Sequence, residues 1–137
     1  MTIRAYQPDD FPIVEQWAKA RNMVLIPQLL SKNGFLVEDE HGPLAVAWCY
    51  LTFDCPLAYV DHLFTRPRTS LKKGLAAWRL IWRTIQAYLL NLRDCNGNAL
   101  SYKIVRVFTC PELSRFLKSD GWKVSAKTVQ QAIYAIP

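Results

Sequence analysis

Apolar residues at Leu71, Leu75, Trp78, Trp82, Ile85, Leu89 and Leu92 recur in alternating steps of four and three. That spacing lines them along one face and predicts an α-helix, the longest in the chain. Ahead of it, residues 57–65 predict a strand ending in Thr65-Arg66-Pro67, so a strand feeds the helix through a short basic loop. The start of such a helix carries unpaired backbone N–H groups and the positive pole of the helix dipole, which favour an anion such as a phosphate. Ser70 is placed to cap it.

The remaining pattern gives a mixed order of elements. Residues 2–6 alternate as a modest strand, and Pro8-Asp9-Asp10 supplies a turn and an N-cap. Pro12 then sits in the first turn of a helix whose apolar face is Phe11, Val14, Trp17 and Ala18, ending near Arg21-Asn22. Residues 23–30, interrupted by Pro27, read as a loop with a short helix. Residues 35–38 and 44–53, joined by His41-Gly42-Pro43, predict a hairpin. Asn96-Gly97 is read as the stop of the long helix. Residues 102–109 are apolar on both alternating sets, as in a strand buried on two faces. A short helix from Pro111-Glu112, closed by Gly121, and strands at 122–124 and 129–136 complete the chain. The predicted class is α/β (α+β): one domain over residues 1–137, a mixed, mostly antiparallel sheet of six to seven strands with helices packed on it.

Composition narrows the classes. The chain has 137 residues, 51% of them hydrophobic, which is enough for one core and excludes a disordered class. A formal charge of +6 implies an acidic partner. Between Asp61 and Asp94 there is no acidic residue, whereas Arg66, Arg68, Lys72, Lys73, Arg79, Arg83 and Arg93 are basic. A solvated basic helix face would also account for them. Nucleic acid is disfavoured because the cations cluster at one helix start and do not interleave with exposed aromatics. Four separated cysteines without a C-x-x-C give no zinc signature, so no metal is expected. No signal-peptide pattern or membrane-length apolar run is present, so a soluble, cytoplasmic protein is expected.

The element order, with a basic glycine loop between the fourth strand and the long helix, resembles the GNAT superfamily of acetyl-coenzyme A dependent N-acetyltransferases. The loop Leu71-Lys72-Lys73-Gly74-Leu75-Ala76 is similar to that family's R/Q-x-x-G-x-G/A, matching at Gly74 and Ala76 and departing at Leu71. Residues 110–122 resemble its N-P-x-S-x-x-x-L/Y-x-K-x-G-F segment, with Pro111, Leu117, Gly121 and Trp122 in step and Cys110 at the Asn position. The resemblance implies helices on both faces of the sheet and strands 4 and 5 splayed apart. It also implies transfer of acetyl from acetyl-CoA, the co-substrate, to a primary amine by direct attack.

In that family the glycine-loop amides hold the pyrophosphate, which would place Gly74, Leu75 and Ala76 at the cofactor with Arg68, Lys72 and Lys73 adding positive charge. The alternative for Gly74 is close packing of helix on sheet. The pantetheine arm would pair with the backbone of Leu63, Phe64 and Thr65, with Cys110 nearby; Cys110 also reads as a half-buried structural cysteine. Asp61 is the carboxylate on the fourth strand and the candidate general base, with Tyr59 as helper. A period of two puts Asp61 on one face with Tyr59, Leu63 and Thr65, and His62 on the other. A carboxylate simply paired with a neighbouring arginine is the competing account of Asp61. Residues 23–34 would help form the acceptor side. Many members of that superfamily are dimers, which leaves a homodimer open. Departures at Leu71, at Cys110 and at Leu117, where many members of that family carry a Tyr that serves as general acid, resemble compact GNAT-like chains of tailed phages and keep open a second reading, a catalytically weakened fold serving as a phage structural or protein-binding component in the host cytoplasm.

Overall fold

Five strands lie in the sheet in the order in which they occur along the chain: β1 (Thr2–Ala5), β2 (Gly34–Asp39), β3 (Gly42–Leu51), β4 (Leu57–Thr65) and β5 (Ile104–Val107). The first four pair antiparallel, and β5 joins β4 in parallel. The helices are α1 (Phe11–Lys19), α2 (Leu71–Asn91) and α3 (Pro111–Ser119). The computed structural model describes residues 1–108 and 111–125. The chain divides into two compact units, Met1–Val107 and Phe108–Pro137.

In the first unit both faces of the sheet are covered, which is why β3 reads as an unbroken apolar run: Leu44, Ala45, Val46, Ala47, Trp48 and Cys49 are all buried. Successive side chains alternate between the faces. Leu36, Val46, Trp48 and Phe64 pack with Val14, Trp17 and Ala18 of α1. On the other face Phe35 meets Tyr88 of α2 edge-on, with ring centroids 5.8 Å apart. Gly34 opposes Trp48 across the β2–β3 ladder, and a Cβ there would lie 2.6 Å from the indole Nε1. The indole therefore needs a glycine opposite it.

Several elements differ from the sequence expectation. The described residues form five strands, not six to seven: residues 122–125 are not in a strand, and 129–136 lie outside the described residues. Strand β5 is not buried on two faces, because Ile104 is 57% exposed and Arg106 is exposed, with Val105 and Val107 half-buried. Asp10 does not cap α1; its carboxylate is taken by Arg4 in two bonds of 2.7 Å and by the Gln7 amide. Helix α2 stops at Asn91, before Asn96-Gly97, because the next residue turns extended. Gly97, at φ 82°, instead serves a turn in which Asp94 Oδ1 accepts from the amides of Asn96 and Asn98. The buried stripe of α2 is Ala77, Trp78, Ile81, Ile85 and Leu89, rotated from the expected one, and leaves Leu71 49% exposed.

The second unit contains α3. Its end is closed as expected: Gly121 adopts φ 90°, and the Trp122 amide reaches back to the Leu117 carbonyl at 3.0 Å.

Candidate functional site

The ladder between β4 and β5 runs from Leu57 against Ile104 to Val60 against Val107 and stops there. From Asp61 to Thr65 the outer edge of β4 has no strand partner among the described residues. That edge leads through Arg66-Pro67-Arg68-Thr69 into the start of α2. Ser70 is the N-cap, extended at ψ 149°, and its hydroxyl accepts from the Lys73 amide at 3.3 Å. The Gly74 amide bonds the Ser70 carbonyl. The amides of Leu71 and Lys72, in the first turn, have no intrahelical acceptor.

Gly74 is not needed for close packing. A Cβ there would meet only Thr65 Cγ2, at an ordinary 3.7 Å. Ala76 is exposed, so it does not bring the helix close to the strand either, and Leu75 is half-buried beside it. No packing contact requires this glycine, although in a helix it costs about 1 kcal/mol relative to alanine, and the start of α2 is unobstructed there.

The basic residues divide by what they touch. Asp39, at the end of β2, has no exposed side-chain surface and lies between Arg66, 2.8 Å away, and Lys73. The hydrogen bond from Arg66, with that from Lys73, holds its carboxyl well below the usual carboxylate range. Lys73 also reaches Glu40 at 3.3 Å, so its charge is compensated. Arg68, held at φ 64°, and Lys72 are exposed and make no ion pair among the described residues. Arg21, just beyond α1, donates to the Thr65 carbonyl at 2.9 Å and to its hydroxyl at 3.0 Å, tying α1 to the end of β4.

The catalytic candidates sit on an irregularity that the period of two missed. Between the pairs Trp48–Asp61 and Val46–Phe64, two residues of β4, His62 and Leu63, oppose the single Ala47. This β-bulge holds His62 at φ 55°. Asp61 consequently shares its face with Tyr59 and Phe64, the α1 side, whereas Thr65 belongs with Ala45 on the α2 side. The expected common face of Asp61, Leu63 and Thr65 is thereby corrected, and so is the placing of His62 opposite Asp61. The His62 ring lies among Trp48, Tyr50 and Phe64, each at 6.2 Å between centroids.

Sequence reasoning therefore missed His62 and its neighbour Tyr50. His62 Nδ1 is 3.2 Å from the Tyr50 hydroxyl and 3.8 Å from Asp61 Oδ2. The His62 amide donates to Asp61 Oδ1 at 2.7 Å. Burial pushes the Tyr50 phenol up, and the nearby Asp61 charge adds to the shift. Tyr50 also lines a shallow cleft of about 380 Å³ with Leu29, Leu30, Ser31, Lys32, Asn33 and Leu51, so part of the 23–34 segment stands beside this cluster. Phe64 is core, and Leu63 is half-buried on the stretch of β4 beyond Val60. Cys110 lies outside the described residues.

No protein-family model matches the chain, and no curated protein sequence matches it. Solved structures do. A point mutant of TTHA1254 from Thermus thermophilus superposes with a TM-score of 0.66 over 100% of both chains at 14% identity. Glucosamine-6-phosphate N-acetyltransferase from Arabidopsis thaliana gives 0.58 over 97% of both chains at 12% identity. N-acetylglutamate synthase from Neisseria gonorrhoeae, complexed with coenzyme A and L-arginine, gives 0.61 at 11% identity over 91% of this chain and 28% of that one. The fold is that of the GNAT acetyltransferases.

Proposed function

We propose that the chain is an N-acetyltransferase that moves acetyl from acetyl-CoA to a primary amine by direct attack. The observation that carries this reading is the continuity of two features: the β4 edge, which beyond Val60 has no strand partner among the described residues, and the amides at the start of α2 to which it leads. A strand edge without a ladder partner among the described residues admits an extended amide-bearing arm, for which the Leu63 backbone and the Thr65 N–H offer pairing groups. The Thr65 carbonyl is already taken by Arg21, which fixes that end of the edge.

The residues present fit a diphosphate at the head of α2. The first-turn amides of Leu71 and Lys72 offer donors and a positive dipole. Gly74 keeps the approach clear, and Arg68 and Lys72 supply charge that no carboxylate among the described residues cancels. Lys73 would contribute less, being held by Asp39 and Glu40. The thioester supplies an activated acyl group. Asp61 and Tyr59, on the α1 face of β4, belong to the machinery that manages the amine's proton. The N-acetylglutamate synthase neighbour, complexed with coenzyme A, supports a ligand of this type.

The test is calorimetric titration with acetyl-CoA followed by a thiol-release assay over a panel of amines. Saturable binding with turnover on at least one amine is expected. Absence of binding ends the reading, whereas binding without turnover on any amine moves the balance to a non-catalytic fold.

A further inference from the structure

We propose that His62 is the group that takes the amine's proton, with Asp61 and Tyr50 positioning its ring; this rests on the transferase reading above. Four observations converge. A non-glycine residue at φ 55° is uncommon, and the β-bulge that holds His62 there turns its ring onto the face that carries Asp61. The ring is enclosed by Trp48, Tyr50 and Phe64 yet keeps 25% of its side-chain surface exposed, as a group that must meet substrate requires. Nδ1 faces the Tyr50 oxygen at 3.2 Å and the Asp61 carboxylate at 3.8 Å, while Nε2 has no hydrogen-bond partner among the described residues. Finally, Asp61 Oδ1 is already engaged by the His62 amide, which pins the carboxylate beside the ring and commits one of its two oxygens.

The Asp61 carboxylate 3.8 Å from Nδ1 favours the proton on that nitrogen, and with Nδ1–H donating to the Tyr50 oxygen the Nε2 lone pair is left bare. The charged and titratable groups facing the ring are Asp61 from β4 and Tyr50 from β3; Trp48 and Phe64 are uncharged. Burial keeps the Tyr50 phenol protonated, so it serves as a neutral partner, and its place in the wall of the 380 Å³ cleft sets the imidazole next to the acceptor side. In the reaction an ammonium N–H gives its proton to Nε2. The freed nitrogen pair forms the C–N bond at the thioester carbonyl carbon, and the C–S pair leaves with sulfur. The nitrogen sheds its surplus proton as sulfur takes one up, giving amide and thiol, and the imidazolium returns its proton to solvent.

Two measurements decide the proposal. Nuclear magnetic resonance of the full chain carrying isotope-labelled histidine reads the tautomer directly, because there are two histidines and His41→Gln assigns them. The Nδ1-protonated form is expected for His62 and should shift toward the Nε2-protonated form in Asp61→Asn. In the amine-panel assay, His62→Gln should lower kcat about a hundredfold or more while the calorimetric affinity for acetyl-CoA is retained. Imidazole added to His62→Ala should restore part of the rate, which a purely structural role would not allow. An Nε2-protonated His62 in the unaltered protein, or full kcat in His62→Gln, overturns the proposal and leaves the transferase reading standing. Loss of acetyl-CoA binding by the unaltered protein overturns the transferase reading itself.

Discussion

At Gly34 the indole of Trp48 and the Cβ of Tyr6 leave no room for a side chain, since an added Cβ would lie 2.6 Å and 2.7 Å from them. Gly34→Ala should therefore destabilise the protein by about 1–3 kcal/mol through overpacking, measured by urea unfolding. At Gly74 there is room, and the same substitution has the opposite sign. Gly74→Ala should stabilise α2 by about 1 kcal/mol, because alanine is the better helix former. Gly74→Glu should fold but lose acetyl-CoA, since a carboxylate would stand where the proposed function puts a diphosphate. The pair of outcomes separates a glycine kept for ligand approach from one kept for packing. Gly74 was legible in the sequence as part of a loop pattern, but its freedom from contact was not, because that depends on where Thr65 falls across the fold.

Among the elements, those with strong periodicity and local punctuation could be read directly. The β2–β3 hairpin, α1 with Pro12 in its first turn, α2 with Ser70 as cap, and Gly121 after α3 all follow from short-range rules. What could not be read is the bulge in β4. A period of two assumes an even ladder, and one extra residue opposite Ala47 reverses the faces of everything after it. No local signal marks His62 as the residue that takes the left-handed conformation. The stop of α2 was misplaced for a related reason: Asn96-Gly97 is a genuine turn signal, but it belongs to the loop behind the helix.

A junction of elements also sets an acid response. Asp39 ties the end of β2 to Arg66 after β4 and to Lys73 in α2. Its folded pKa lies below its ordinary value of 3.8, so the stability it lends is complete above that value and is lost as pH falls beneath it. Asp39→Asn should therefore lower the unfolding midpoint at neutral pH, and its deficit against the unaltered protein should shrink as pH falls below about 4. Thermal unfolding at pH 7 and pH 3 measures the two deficits. Equal deficits at both would contradict the ion-pair account. Asp10, held low chiefly by Arg4, contributes a second part of the same slope, so some acid sensitivity persists in the variant.

For the molecule as a whole, the positive charge of +6 is distributed unevenly. Arg4, Arg66 and Lys73 close ion pairs that join elements, while Arg68 and Lys72 at the head of α2 have no such partner among the described residues. A ligand held mainly by backbone amides should respond modestly to salt. A nucleic acid gripped through many phosphates would lose roughly a thousandfold or more in affinity between 50 and 200 mM salt. Titration of acetyl-CoA at those two salt concentrations distinguishes a diphosphate pocket from a diffuse basic surface.

The most direct measurement is calorimetric titration of acetyl-CoA into the unaltered protein and into Gly74→Glu. Saturable one-to-one binding that vanishes in the variant, with the variant still folded by circular dichroism, is the predicted result. No saturable binding to the unaltered protein, or equal affinity in the two, would contradict the placement of a coenzyme at the start of α2.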